Sequence, residues 1–218
     1  MRLSYREFRA MNSGVRRIIQ RTVEFPLFRK MGLTDEHSDI LEIGCGSGYG
    51  AVLLANLSPK SYIGLDIMPE QIALARRRPL NNAGFMLCDA TDLGCFPDES
   101  KDIVIDFGIL HHIPEWRTVI EECHRVLRKG GKLFVEEPDG ALVVRIENLF
   151  PWGHPPDACF RLRDLEDNLN TNGFDVLKRQ WVFGFGFYCA RKKQDSVIDH
   201  VREYLGPQAR RHENGSFK

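Results

Sequence analysis

The 218-residue chain carries 30 Lys and Arg against 30 Asp and Glu, and 43% of its residues are apolar. That composition argues against a disordered or fibrous chain, and zero net charge argues against a nucleic-acid binder that works by neutralising phosphates. No run approaches the roughly 18–20 apolar residues of a membrane span, and the first residues lack the apolar core of a secretory signal.

Residues 1–32 read as one or two amphipathic helices, with Phe8, Met11, Val15, Ile18 and Ile19 at helical spacing and arginines between them. This stretch is strongly basic: eight Arg and Lys up to Lys30 face only Glu7 and Glu24, a net +6. The pattern then changes. Ile40 to Ile43 is a short apolar strand ending on Gly44-Cys45-Gly46-Ser47-Gly48, and Ala51 to Ala55 is a buried helix. Tyr62 to Leu65 is a second strand closing at Asp66, and a helix starts at Pro69. Phe85 to Cys88 is a third strand closing at Asp89; Ile103 to Phe107 is a fourth, followed by His111-His112 and a helix from Glu115 to Leu127. Gly130-Gly131 is expected to end that helix before a fifth strand, Lys132 to Glu136.

Short apolar strands alternating with helices give a doubly wound α/β fold with a parallel sheet covered on both faces. The end of the chain departs from that rule. After a helix over 164–172, the runs 174–183 and 185–191 have only Gly184 between them, which permits an antiparallel hairpin and no parallel crossover. The expected sheet is therefore seven-stranded and mostly parallel, with an antiparallel last strand. The domain reading is an N-terminal helical cap over 1–32, a core over 33–192 with an insertion over 139–160 as a substrate lid, and a helix and tail over 193–218.

Glycines after the first strand let backbone approach a ligand, and Gly46-x-Gly48-x-x-Ala51 also fits a dinucleotide fingerprint. Asp66 follows Gly48 by 18 residues, where a carboxylate accepts from ribose hydroxyls in either case. The turn alone does not separate the two cofactors. The ordered set does: Glu42 before the glycines, Asp66, then Asp89-Ala90, then Asp106-Phe107-Gly108, then Gly130-Gly131 and Glu136-Glu137-Pro138.

From about Asp39 to Pro138 the chain resembles the class I S-adenosylmethionine-dependent methyltransferases, specifically the subgroup of quinone and small-molecule methyltransferases. The resemblance implies S-adenosylmethionine as cofactor and a small-molecule acceptor, apolar or anionic. It implies that Glu42, Gly44, Cys45 and Gly46, with Gly48 closing the turn, hold the methionine portion. Asp66 would hold the ribose, Ile67 and Met68 would flank the adenine, Asp89 and Ala90 would bond its amino group, and Phe107 and Gly108 would line the pocket beside the sulfonium.

Methyl transfer needs a base only where the acceptor loses a proton. The candidates are His111, with His112 beside it, and His154 in the stiff Pro151-Trp152-Gly153-His154-Pro155-Pro156 segment. Glu136 and Glu137 end the fifth strand, but no spacing enforces a metal site with the histidines, so no metal is expected. Phe8, Met11, Phe183, Phe185, Phe187 and Tyr188 are candidates to line an apolar acceptor cavity.

Two alternatives remain at this point: a non-catalytic partner subunit on the same fold, and a nucleotide-dependent oxidoreductase. The latter calls for a second substrate domain or a catalytic Tyr-x-x-x-Lys pair, and neither is expected here. The six cysteines form no Cys-x-x-Cys pair, which fits a cytoplasmic protein, monomeric or homodimeric, without disulfides or structural zinc.

Overall fold

Apolar runs set the central strands: β1 (Asp39–Ile43), β2 (Ser61–Asp66), β3 (Ala83–Leu87), β4 (Lys101–Phe107) and β5 (Leu127–Pro138). Four consecutive residues of β1 and the last six of β5 are buried, as strands covered on both faces must be. The computed structural model describes residues 4–34, 38–151 and 153–194.

Two further strands, β6 (Phe174–Val182) and β7 (Phe185–Lys192), complete a sheet of order β3-β2-β1-β4-β5-β7-β6. The first five are parallel, and β7 runs antiparallel to both β5 and β6. The reversal comes from a two-residue turn, Phe183 at φ 50° and Gly184 at φ 86°, the left-handed pair that a type I′ hairpin requires. The strand order reverses between β1 and β4, so their C-terminal ends part and leave a crevice, the usual ligand position of open α/β sheets.

Helices α1 (Tyr5–Met11), α2 (Gly14–Ile19) and α3 (Phe25–Met31) precede the sheet, with a π-helical turn over Gln20–Glu24 between the last two. Helices α4 (Tyr49–Ala55), α5 (Pro69–Ala75), α6 (Trp116–Val126), α7 (Gly140–Leu149) and α8 (Leu162–Thr171) lie between its strands in the chain. Two apolar layers result. One joins Phe28, Leu54 and Ile72 to Ile40, Phe107 and Phe187; the other joins α6 and α8 to Leu41, Val104 and Tyr188. On α6 the residues Trp116, Val119, Ile120, Cys123 and Val126 recur at helical spacing and are all fully buried.

Three sequence expectations change. The stripe Val15, Ile18 and Ile19 turns outward, with Ile18 62% exposed, while Arg16, Gln20 and Glu24 turn inward. The inner face meets carbonyls and carboxylates rather than apolar sheet, so polarity inverts. Gly130-Gly131 do not end a helix: α6 stops at Val126, β5 begins at Leu127, and pairing with β4 jumps from Leu127 to Lys132. That excursion is tight. A Cβ at Gly131 would lie 2.8 Å from the Arg128 carbonyl, and Gly130 sits at φ 79°. The expected C-terminal helix falls within 193–218, of which all but 193 and 194 lie outside the described residues. Among the described residues, no helix is long and apolar enough to cross a membrane.

Trp116 packs against the Phe160 ring at 4.4 Å between centroids and has no solvent exposure. Trp116→Ala is expected to destabilise the fold by about 3–5 kcal/mol, read as a lowered denaturant midpoint at unchanged slope.

Candidate active site

The glycine turn is shaped by close approach. Gly44, Gly46 and Gly48 lie at φ 63°, 52° and 73°, in the left-handed region that side chains resist. A Cβ on Gly44 would strike Ile109 of the turn after β4, so these two turns are wedged together at the strand-order reversal. A Cβ on Gly46 would meet nothing nearer than Gln71 Nε2 at 3.9 Å, which leaves its backbone facing open space.

That space is a cleft of about 1230 Å³ with the open solvent at its mouth included. Its walls include Glu42, Gly44, Cys45, Gly46, Asp66, Ile67, Met68, Asp89, Ala90, Phe107 and Gly108. Eleven of the twelve residues expected to hold cofactor therefore meet at one place; Gly48 stands behind, where its Cα faces the Phe85 ring.

Each wall residue has a physical setting. Asp66 is half-buried: Oδ2 accepts from Gly46 N at 2.9 Å and Oδ1 from Met68 N at 2.8 Å, which fixes the carboxylate at the rim. Asp89 is exposed and Oδ1 caps its own turn by accepting from Thr91 N and Oγ1. Glu42 is buried at the floor, where Tyr62 donates its hydroxyl to Oε2 at 2.7 Å. Phe107 is divided: its ring belongs to the core, 5.3 Å from Phe28, while its carbonyl accepts from Arg16 Nη2 at 3.0 Å. Gly108 lies against Glu136.

Sequence reasoning missed the N-terminal contribution. Arg16, Arg17 and Gln20 border the cleft beside the anticipated Met11, and Arg16 pairs with buried Glu24. Helical periodicity marked the apolar face of α2 as the inner one, so nothing singled these residues out. Gln71 also faces the cleft, and its buried Oε1 has no hydrogen-bond partner among the described residues. Of the aromatics expected around an acceptor, Phe187 and Tyr188 are core, Phe183 is 96% exposed, and none of these nor Phe185 borders the cleft.

The histidines collect at one side. His112 borders the cleft; His111 and His154 stand behind it, with His111 Nδ1 2.7 Å from Glu137 Oε2 and His154 Nδ1 2.7 Å from Glu147 Oε2. Burial holds His111 and His112 neutral, pushing their pKa values down to about 3 and about 2. A Tyr-x-x-x-Lys spacing does occur at Tyr188 and Lys192, but on β7, where the hydroxyl donates to the Leu162 carbonyl and the ammonium to Leu127. Both groups are committed to structure, away from the cleft.

A buried carboxyl at the floor, a carboxylate at the rim and apolar walls suit a ligand with a cationic end and a nucleoside end. The sheet order and the position of this cleft are those of the doubly wound methyltransferase fold. Residues 41–135 match the family model described as a methyltransferase domain. A Mycolicibacterium smegmatis protein named a probable S-adenosylmethionine-dependent methyltransferase is 34% identical over 150 residues, 66% of this chain and 55% of its own length. A fatty-acid O-methyltransferase of the same organism is 42% identical over 99 residues, 44% of this chain and 35% of its own. A solved methyltransferase from Aquifex aeolicus superposes with a TM-score of 0.70 at 16% identity, covering 88% of this chain and 100% of that one, a likeness of fold alone. Residues 41–135 thus carry a methyltransferase domain similar to those of S-adenosylmethionine-dependent enzymes, and the chain spans only about a third to just over half of the two curated relatives' lengths.

Burial raises the Glu42 pKa to about 8 and that of Glu137 to about 7. A carboxyl whose folded pKa is raised lends stability that is full below its ordinary value and lost as pH rises through the folded value. His111 and His112, held neutral in the fold, oppose this trend below about pH 6.5, so the denaturant midpoint of the ligand-free protein is expected to fall chiefly between about pH 6.5 and pH 8. Glu42→Gln should flatten that slope; an unchanged slope would mean Glu42 is charged throughout.

Proposed function

We propose that this chain transfers the methyl group of S-adenosylmethionine to a small-molecule acceptor with an extended apolar part. The observation that carries this reading is the meeting of Glu42, the glycine turn, Asp66 and Asp89 around one cleft at the β1–β4 reversal. When bound, the cofactor supplies a methyl carbon made electrophilic by a positive sulfur.

The residues of the chain then bind and align. Glu42 and the turn from Gly44 to Gly48 receive the methionine portion, with buried negative charge facing its cationic groups. Asp66, fixed by two backbone amides, accepts from the ribose hydroxyls. Ile67, Met68 and Ala90 flank the adenine, and Asp89 accepts from its amino group. Phe107 and Gly108 bound the reacting end, and His111 and His154 act on the acceptor side through His112, the imidazole on the cleft wall. Residues 1–32 serve as a cap on a core over 33–192, with 139–160 as a second covering segment.

An apolar acceptor is supported by the fatty-acid O-methyltransferase relative and by the outward apolar face of α2 among arginines. A cytoplasmic setting is supported by the six free cysteines.

Calorimetry with S-adenosylmethionine is expected to give one site per chain, and Asp66→Ala to weaken it by about 1–3 kcal/mol, the worth of hydrogen bonds to a charged group. Release of S-adenosylhomocysteine with fatty acids of graded chain length then reads the acceptor. Failure to bind the cofactor sinks the reading; binding without turnover on any apolar acceptor sinks only its acceptor half.

A further inference from the structure

His111 and His112, in the 3-10 turn after β4, meet His154 of the segment between α7 and α8. Ring centroids lie 4.1, 4.8 and 5.3 Å apart, and one ligating atom from each ring falls within 4.8 Å of the others. Two of the rings are held from behind. Glu137 grips His111 at Nδ1 and Glu147 grips His154 at Nδ1, so in each the Nε2 side faces inward. A carboxylate on the far nitrogen is the support that metal-bound histidines ordinarily have.

The fourth member is Glu7 of α1. Its carboxylate is buried, and neither oxygen has a hydrogen-bond partner among the described residues. Oε1 nevertheless lies 3.4 Å from His154 Nε2 and 3.6 Å from His112 Nδ1, and that nitrogen also lacks a hydrogen bond. A carboxyl group taken from water without a hydrogen bond is costly. A cation between these atoms would give Glu7 and His112 Nδ1 the partner they lack among the described residues.

We propose that Glu7, His111, His112 and His154 form a binding site for a divalent transition ion of the zinc class. Three imidazole nitrogens and one carboxylate suit zinc and its neighbours, whereas calcium and magnesium take oxygen ligands. With metal–nitrogen bonds of about 2.0–2.1 Å, tetrahedral ligand atoms stand about 3.3–3.4 Å apart. The three ring nitrogens, within 4.8 Å of one another, therefore close by up to about 1.5 Å through rotation of side chains. The ion ties together α1, the turn after β4 and the segment after α7, three pieces of chain remote in sequence. It lies behind His112, and so against the cleft wall. The site shares His111 and His154 with the methyl-transfer reading, but ion binding is measured without cofactor, so the two fail separately.

The test uses the full chain stripped with chelator, carrying Cys88→Ser and Cys95→Ser because those two sulfurs lie 3.8 Å apart and would bind metal themselves. Titration with Zn²⁺ by calorimetry and with Co²⁺ by visible absorption is expected to give one ion per chain and a raised unfolding temperature. His154→Ala and Glu7→Gln should each weaken binding about 100-fold, and Glu147→Gln, which frees His154 from behind without removing a ligand, about 10-fold. Circular dichroism establishes that each variant is folded. Absence of stoichiometric binding by either ion overturns the proposal, as does equal binding by folded Glu7→Gln and His154→Ala.

Discussion

Carboxyl groups buried at the C-terminal ends of β1, β4 and β5 constrain everything built above them. Glu42, Asp106, Glu136 and Glu137 are each at most 3% exposed. Asp106 and Glu137 face one another, and burial with that like charge drives the Asp106 pKa far up, so the pair cannot ionise together. The surrounding chain is arranged to satisfy them. Asp106 accepts from Ile109 N, and Glu137 accepts from Leu110 N and His111 N, which winds the backbone after β4 into its 3-10 turn and delivers the histidines. Arg16 comes from the other direction, reaching the Phe107 carbonyl and Glu24. Its position explains why the inner face of the N-terminal helices is polar.

The sheet was legible in the sequence because each strand there is decided locally. Short apolar runs ending on Asp66, Asp89 and Gly44 leave little choice of element, and a separation too short for a crossover made the β6–β7 pair antiparallel before any contact was known. The cofactor end was legible for the same reason: its residues lie at strand ends, which the pattern locates. Two places were not. In α2 the spacing of Val15, Ile18 and Ile19 was read correctly as helical, but periodicity tells which residues share a face and not which face meets the protein. Gly130-Gly131 signalled an interruption, yet a glycine pair serves a strand excursion as well as a helix end, and only the pairing of Leu127 and Lys132 with β4 distinguishes them.

The histidine cluster was beyond reach for a different cause. Glu7, His111 and His154 are separated by more than a hundred residues in one case and about forty in the other, and no local rule joins them. His111 and His154 were singled out individually; that they share a pocket with Glu7 is a property of how α1 and the segment after α7 fold over the end of β4.

Seated as proposed, Glu42 has a consequence for the bookkeeping of protons. Its carboxyl keeps a proton up to about pH 8 while the cleft holds no cation, because burial outweighs the Tyr62 hydrogen bond. The ammonium of the methionine portion, which donor and product share, favours the ionised form. Glu42 would then shed a proton to solvent when either ligand arrives and recover one when the cleft empties, so that the apparent affinity for both rises with pH up to about 8.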